Sequence, residues 1–131
     1  MHEGLILDVT PGDGESFERG LLEGMGHPVL VCHGPEHGAL CPILEGECEL
    51  FVRAHGIVFQ LDLERAQHRA ILLRYRELAA DDMPICAVVR PGQDTRYADL
   101  LAGVEVFTGP PTAGELDGFA AEVEAADRFR E

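Results

Sequence analysis

Residues 32–48 read "CHGPEHGALCPILEGEC" and gather Cys32, His33, His37, Cys41 and Cys48. Thiolate sulfur and imidazole nitrogen are the usual ligands of Zn2+, and a set of four can fold an irregular connection around the ion. Cys41 and Cys48 by themselves are a candidate thiol–disulfide pair. Eight residues separate Cys32 from Cys41 and six separate Cys41 from Cys48, so the two-residue knuckles of a structural zinc site are missing. The preferred reading is plainer: Cys32 ends a buried strand, Cys41 and Cys48 pack as small apolar groups, and the histidines face water. His55 and His68 are read as surface residues. Cys32 next to His33 makes no nucleophilic site without a base, an oxyanion hole and a pocket.

A second group of chemically able residues follows apolar runs. Asp8 ends "LILD", Asp62 follows "GIVFQL", Arg90 follows "ICAVV" and Thr108 follows "VEVF", while Asp13 lies in the "GDGES" segment after the first run. Carboxylates grouped at such positions hold Mg2+, and an arginine among them binds an anion. Asp62 carries two readings: a member of an anion or Mg2+ site with Asp8 and Arg90, or the N-cap or early residue of a helix beginning "LERAQHRA". The second is preferred, because a carboxylate there satisfies orphan amides and the helix dipole. "GDGES" matches neither the phosphate loop nor the dinucleotide fingerprint, so no motif argues for an enzyme.

The elements that must position these groups are legible as alternating patterns. Runs at 5–9, 29–32, 57–61, 85–89 and 104–107 are short and rich in β-branched residues, and several lack polar alternation, as strands buried on both faces do. Between them, Phe17, Leu21, Leu22 and Met25, then Ala70, Ile71, Leu73, Tyr75 and Leu78, then Leu116, Phe119, Ala120 and Val123 fall at helical spacing. Thr112 and Glu115 have the spacing of a capping box for the last helix. Pro35, Gly38, Pro42 and Gly46 punctuate the second connection, which predicts a loop or turn at 33–44 and a short helix around 46–54. Strands alternating with helices give a three-layer α/β fold with a parallel sheet.

The chain has 131 residues, the size of one domain with one core, so a single domain over 1–131 is expected. Its 24 acidic against 10 basic residues give a formal charge of −14, which opposes counterion-release binding and excludes nucleic acid as the expected partner. Apolar residues come in short separated runs, and no signal peptide or membrane span is visible, so a soluble, cytoplasmic protein is expected. All ten basic residues are arginine and lysine is absent.

Taken together, "LILDV", "GIVFQLDL" and "VEVFTGPPTAGELDGFAAEVEA" resemble a response-regulator receiver domain over nearly the whole chain. The resemblance implies a flavodoxin-like fold with five parallel strands in the order 2-1-3-4-5. It also implies that Asp62 matches the phosphoacceptor, with paired carboxylates after the first strand holding Mg2+, a lysine after the fifth strand and a hydroxyl after the fourth. This chain departs from that pattern: Val9 follows Asp8, Arg90 stands without a hydroxyl, Gly109 stands at the lysine position, and no lysine exists to replace it. The expectation is therefore a degenerate receiver-like module. It is not an enzyme, needs no cofactor, and acts through contact with a protein partner or a second copy. The family's contact face implies a surface from Tyr97 to Val123, with Tyr97, Leu100, Leu101 and Phe107 as its apolar residues. The alternative is a small metal-binding or thiol-redox protein built on the 32–48 connection.

Overall fold

The five apolar runs form one parallel sheet in the computed structural model, which describes residues 5–10, 17–32, 48–79, 83–109 and 111–129. The strands are β1 (Ile6–Val9), β2 (Val29–Cys32), β3 (Gly56–Phe59), β4 (Ile85–Val89) and β5 (Glu105–Thr108), and their order is β2-β1-β3-β4-β5. Every neighbouring pair is parallel, with Asp8 opposite Val31 on one side and Val58 on the other. The described helices are α1 (Phe17–Gly24), α2 (Glu49–Arg53), α3 (Ala66–Leu78), α4 (Gln93–Arg96) and α5 (Ala113–Phe129).

Side chains alternate across the strands and build a core on each sheet face. Leu7, Val9, Ile57, Phe59, Ile85, Ala87 and Val89 face a cluster completed by Ile71, Leu72 and Tyr75 of α3 and by Phe51 of α2. On the opposite face, Ile6, Val58 and Cys86 meet Leu22 of α1 and Leu116, Phe119, Ala120 and Val123 of α5. Each fully buried large side chain in these layers contributes about 1.5–3 kcal/mol relative to exposure. The sequence-based spacing of the last helix is thus its buried stripe. Its capping box is formed: Thr112 N–H donates to Glu115 Oε1 at 2.9 Å, and Glu115 N–H donates to Thr112 Oγ1 at 3.1 Å.

The changes of direction matter most for function. From β1 the chain crosses to β2 through α1 on one face, then reaches β3 and β4 through α2 and α3 on the other. In open parallel sheets the carboxyl ends of the strands, where such crossovers diverge, are where ligand crevices form. Two boundaries differ from the sequence reading near this rim. β3 spans Gly56–Phe59, not 57–61, and α3 begins only at Ala66 after a turn, because Arg65 is its N-cap residue. Asp62 therefore lies outside the helix. The short helix expected at 46–54 is Glu49–Arg53.

Gly56 marks a close approach of α5 to the sheet. A Cβ built there would overlap the Val123 side chain, lying 3.3 Å from its Cβ and closer still to both methyls. Gly56→Ala is expected to lower unfolding stability by about 1–3 kcal/mol, the usual cost of overpacking. Urea denaturation checks this, and the loss should shrink in a Gly56→Ala, Val123→Ala double variant, where the added methyl finds room.

Candidate functional site

The crevice rim is built by two connections that leave adjacent strands. After β3 the chain turns at residues 62–65, closed by Arg65 N–H donating to Asp62 O at 3.1 Å. After β4, Arg90-Pro91-Gly92-Gln93 makes a tight turn in which Gln93 N–H donates to Arg90 O at 3.0 Å. Gly92 adopts a φ of 94°, the left-handed geometry that glycine supplies without steric cost. These turns aim Arg90 and Gln93 back toward Asp62.

Three donors converge on one oxygen of Asp62. Arg90 Nη2 lies at 2.7 Å from Oδ1, the backbone N–H of Glu64 at 3.0 Å and Gln93 Nε2 at 3.4 Å. The Glu64 amide, together with Arg90 and Gln93, holds the Asp62 carboxyl below its usual range against the opposing effect of desolvation. Asp62 is then a stable anion whose nearest cation belongs to the same chain. The helix-capping reading of Asp62 is corrected, because Arg65 is the N-cap residue of α3 and Asp62 accepts instead from the Glu64 amide of the preceding turn.

Gln93 organises the rim. It is buried, its Oε1 accepts from Arg90 N–H at 3.0 Å, and its Nε2 also donates to Glu64 Oε2 at 3.1 Å. Glu64 receives Arg96 Nη1 at 2.8 Å, and its carboxyl is lowered chiefly by Gln93, then by Arg96 and Tyr97. The guanidinium carbons of Arg69 and Arg96 lie 5.6 Å and 5.3 Å from the centre of the Tyr97 ring, which ties α3 to the segment after α4. Below the turn, the Asp62 N–H donates to His68 Nδ1 at 3.0 Å. His68 is buried, contrary to the surface placement expected of it, since it shares a helical stripe with Ile71, Leu72 and Tyr75. Desolvation first, and the charge of Arg65 second, push its pKa down, so the ring accepts as a neutral imidazole.

The other residues singled out in the sequence are dispersed. Asp8 is fully buried on the α1 and α5 face of β1, where Gln60 Nε2 donates to its Oδ1 at 2.5 Å. It is not among the groups bonded to Asp62. Thr108 closes β5 opposite Val89 and is exposed. Gln60 Nε2 occupies Asp8 Oδ1, Val9 follows Asp8, and Arg90 Nη2 occupies Asp62 Oδ1. Asp13, His33, His37 and Cys41 lie outside the described residues. Cys32 is half-buried at the end of β2, whereas Cys48 and Cys86 are buried, and all three are thiols. Among the described residues no three metal-ligating side chains come together. Leu101 is buried and Tyr97 and Leu100 pack against the α3-side core, while Phe107 packs against the opposite core. These four do not form one continuous patch.

No family model and no curated protein matches the chain. Solved structures do. An adenylate cyclase structure from Rhodopirellula baltica superposes with a TM-score of 0.64 at 14% identity, covering 98% of this chain and 93% of that one. A response regulator from Burkholderia multivorans gives 0.55 at 20% identity, covering 99% and 97%. The phosphorylated cyanobacterial phytochrome response regulator RcpA gives 0.54 at 16% identity, covering 98% and 94%. At these identities the likeness establishes the fold: this chain has the flavodoxin-like, receiver-like architecture along almost its whole length.

The geometry separates two kinds of rim contribution. Arg90→Ala is expected to change unfolding stability by only about 0–1 kcal/mol, because both partners of that ion pair are largely exposed. Gln93→Ala should cost about 1–3 kcal/mol, because it strands the Arg90 amide beside a buried void; chemical denaturation of the two variants checks the order. For His68, the folded-state pKa lies below the ordinary 6.5. Its contribution is therefore present above that value and lost as pH falls through the depressed pKa, since the unfolded chain takes the proton first. Denaturation midpoints measured across that window should fall with acid in the native protein and less in His68→Gln.

Proposed function

We propose that this domain is a regulatory module of receiver type that works through protein contact, in the cytoplasm, without phosphoryl transfer to Asp62 and without a bound cofactor. The observation that carries the reading is the closure of Asp62 Oδ1 by Arg90, Gln93 and the Glu64 amide. Transfer to a carboxylate requires cations placed to stabilise charge spreading over the transferred group. Here the nearest guanidinium places Nη2 on the acceptor carboxylate, Gln60 occupies one oxygen of Asp8, and the chain contains no lysine. A domain on this scaffold with its acceptor already neutralised is a contact surface held in one state.

The contact face is assigned to the segment after β4 and the adjoining edge strand, where Tyr97 and Leu100 remain partly exposed beside Arg69 and Arg96. Leu101 supports that face from beneath, and Phe107 belongs to the opposite side of the sheet. The partner is another protein or a second copy of the chain. Among the described residues, no helix is long and apolar enough to cross a membrane.

Intact-mass analysis after incubating the purified chain with acetyl phosphate and Mg2+ is expected to show no added phosphoryl group, and metal analysis of the same preparation no stoichiometric Zn2+. An acyl phosphate on Asp62 would overturn the reading. Light scattering of the native protein and Asp62→Asn should then give the same assembly state in both.

A further inference from the structure

A cavity of about 350 Å3 opens at the amino-terminal end of β4 and β5, the end of the sheet away from Asp62. Its size falls at the lower edge of the ~300–1,000 Å3 range of small-molecule sites. Among the described residues, Ala79, Met83, Pro84, Ile85, Ala102 and Val104 supply apolar lining, and Arg76, Glu105 and Glu122 supply charged lining. Three different layers contribute: Arg76 ends α3, Glu105 opens β5 and Glu122 comes from α5.

The charged groups are of two kinds, and each calls for the opposite charge on a ligand. Arg76 is fixed in place, with Nη1 donating to Leu100 O at 2.7 Å and to Asp99 O at 3.4 Å. Those bonds use one nitrogen and leave other donors of the planar fork for a carboxylate. Glu105 and Glu122 are like charges close enough to matter. Burial first, then the charges of Glu122 and Glu115, raise the Glu105 carboxyl above its usual range. An ammonium placed between them would relieve that repulsion.

We infer that this cavity is a binding site for a small zwitterionic amino acid with an aliphatic side chain. Its ammonium group lies on Glu105 and Glu122, its carboxylate on Arg76, and its hydrocarbon on the Met83, Ile85 and Val104 lining. An anion alone meets two carboxylates, and a cation alone meets a guanidinium. A ligand carrying both charges avoids each penalty. None of the described lining residues belongs to the Asp62 rim, so this assignment stands or falls independently of the proposed function.

The test is amide and methyl chemical-shift mapping of the full chain with L-leucine, 4-methylpentanoate and 3-methylbutylamine, which divide the ligand into its charged halves. Leucine is expected to give saturable shifts at the Met83 methyl and at Gly103, Val104 and Glu105, with affinity on the order of millimolar for a ligand of this size. Each half-ligand should bind about tenfold more weakly, and so should leucine to Glu105→Gln or Glu122→Gln, the usual loss for one charge-assisted hydrogen bond. Absence of a saturable response on the native chain, binding of either half-ligand as tight as that of leucine, or unchanged affinity in both variants would overturn the assignment.

Discussion

A carboxylate at the carboxyl rim of a parallel sheet needs a counter-charge, and in this chain the counter-charge is tethered. Arg90 is delivered to Asp62 by the turn that follows the neighbouring strand, so no diffusing ion is required to neutralise it. The pair itself contributes little stability, because both side chains meet solvent. Its consequence is electrostatic, since it settles which cation the carboxylate sees. The mechanical part falls to Gln93, a buried amide with its carbonyl on one turn and its amino group on two carboxylates of the other. Two loops that could move separately are thereby joined.

The joining extends through α3. At its start, His68 accepts from the backbone of Asp62; in its last turns, Tyr75 stacks on Phe51 with ring centroids 5.5 Å apart and meets Phe59 edge-on at 6.5 Å. At its end, Arg76 grips the carbonyls of Asp99 and Leu100. Arg69 adds a further tie through Leu63 O and the Tyr97 ring. One helix thus touches the rim, the segment carrying Tyr97 and the distant cavity. Displacing it would break polar bonds at both ends as well as aromatic packing between them.

Much of this architecture was legible because it depends on local periodicity. The β-branched runs, the stripe at Leu116, Phe119, Ala120 and Val123, and the Thr112–Glu115 box each state their structure within a few residues. The nearness of Asp62 to Arg90 was legible for a similar reason, since residues that end adjacent strands share one rim. Gln93, Glu64, Arg96 and Gln60 escaped notice because their meaning is long-range. A glutamine gains a role only when a turn brings it to partners some thirty residues away in sequence. The turn signal was nevertheless present in "RPGQD", where Pro-Gly sets the backbone that folds Gln93 inward. His68 was misplaced for a different reason. Residue type suggested surface, whereas its phase with Ile71, Leu72 and Tyr75 required burial, and the phase won.

The absence of lysine gives the rim its particular character. A lysine ammonium on a flexible stem can transfer its attention from an acceptor carboxylate to a newly attached anion, because it is a compact charge with rotatable donors. A guanidinium makes planar, directional bonds, and Arg90 approaches Asp62 from a turn whose own amide is fastened to Gln93. Turning that fork toward another anion means withdrawing it from Oδ1 while the Gln93 bonds keep the turn in place. Any second arrangement of this rim would therefore have to exchange the bonds that neutralise Asp62.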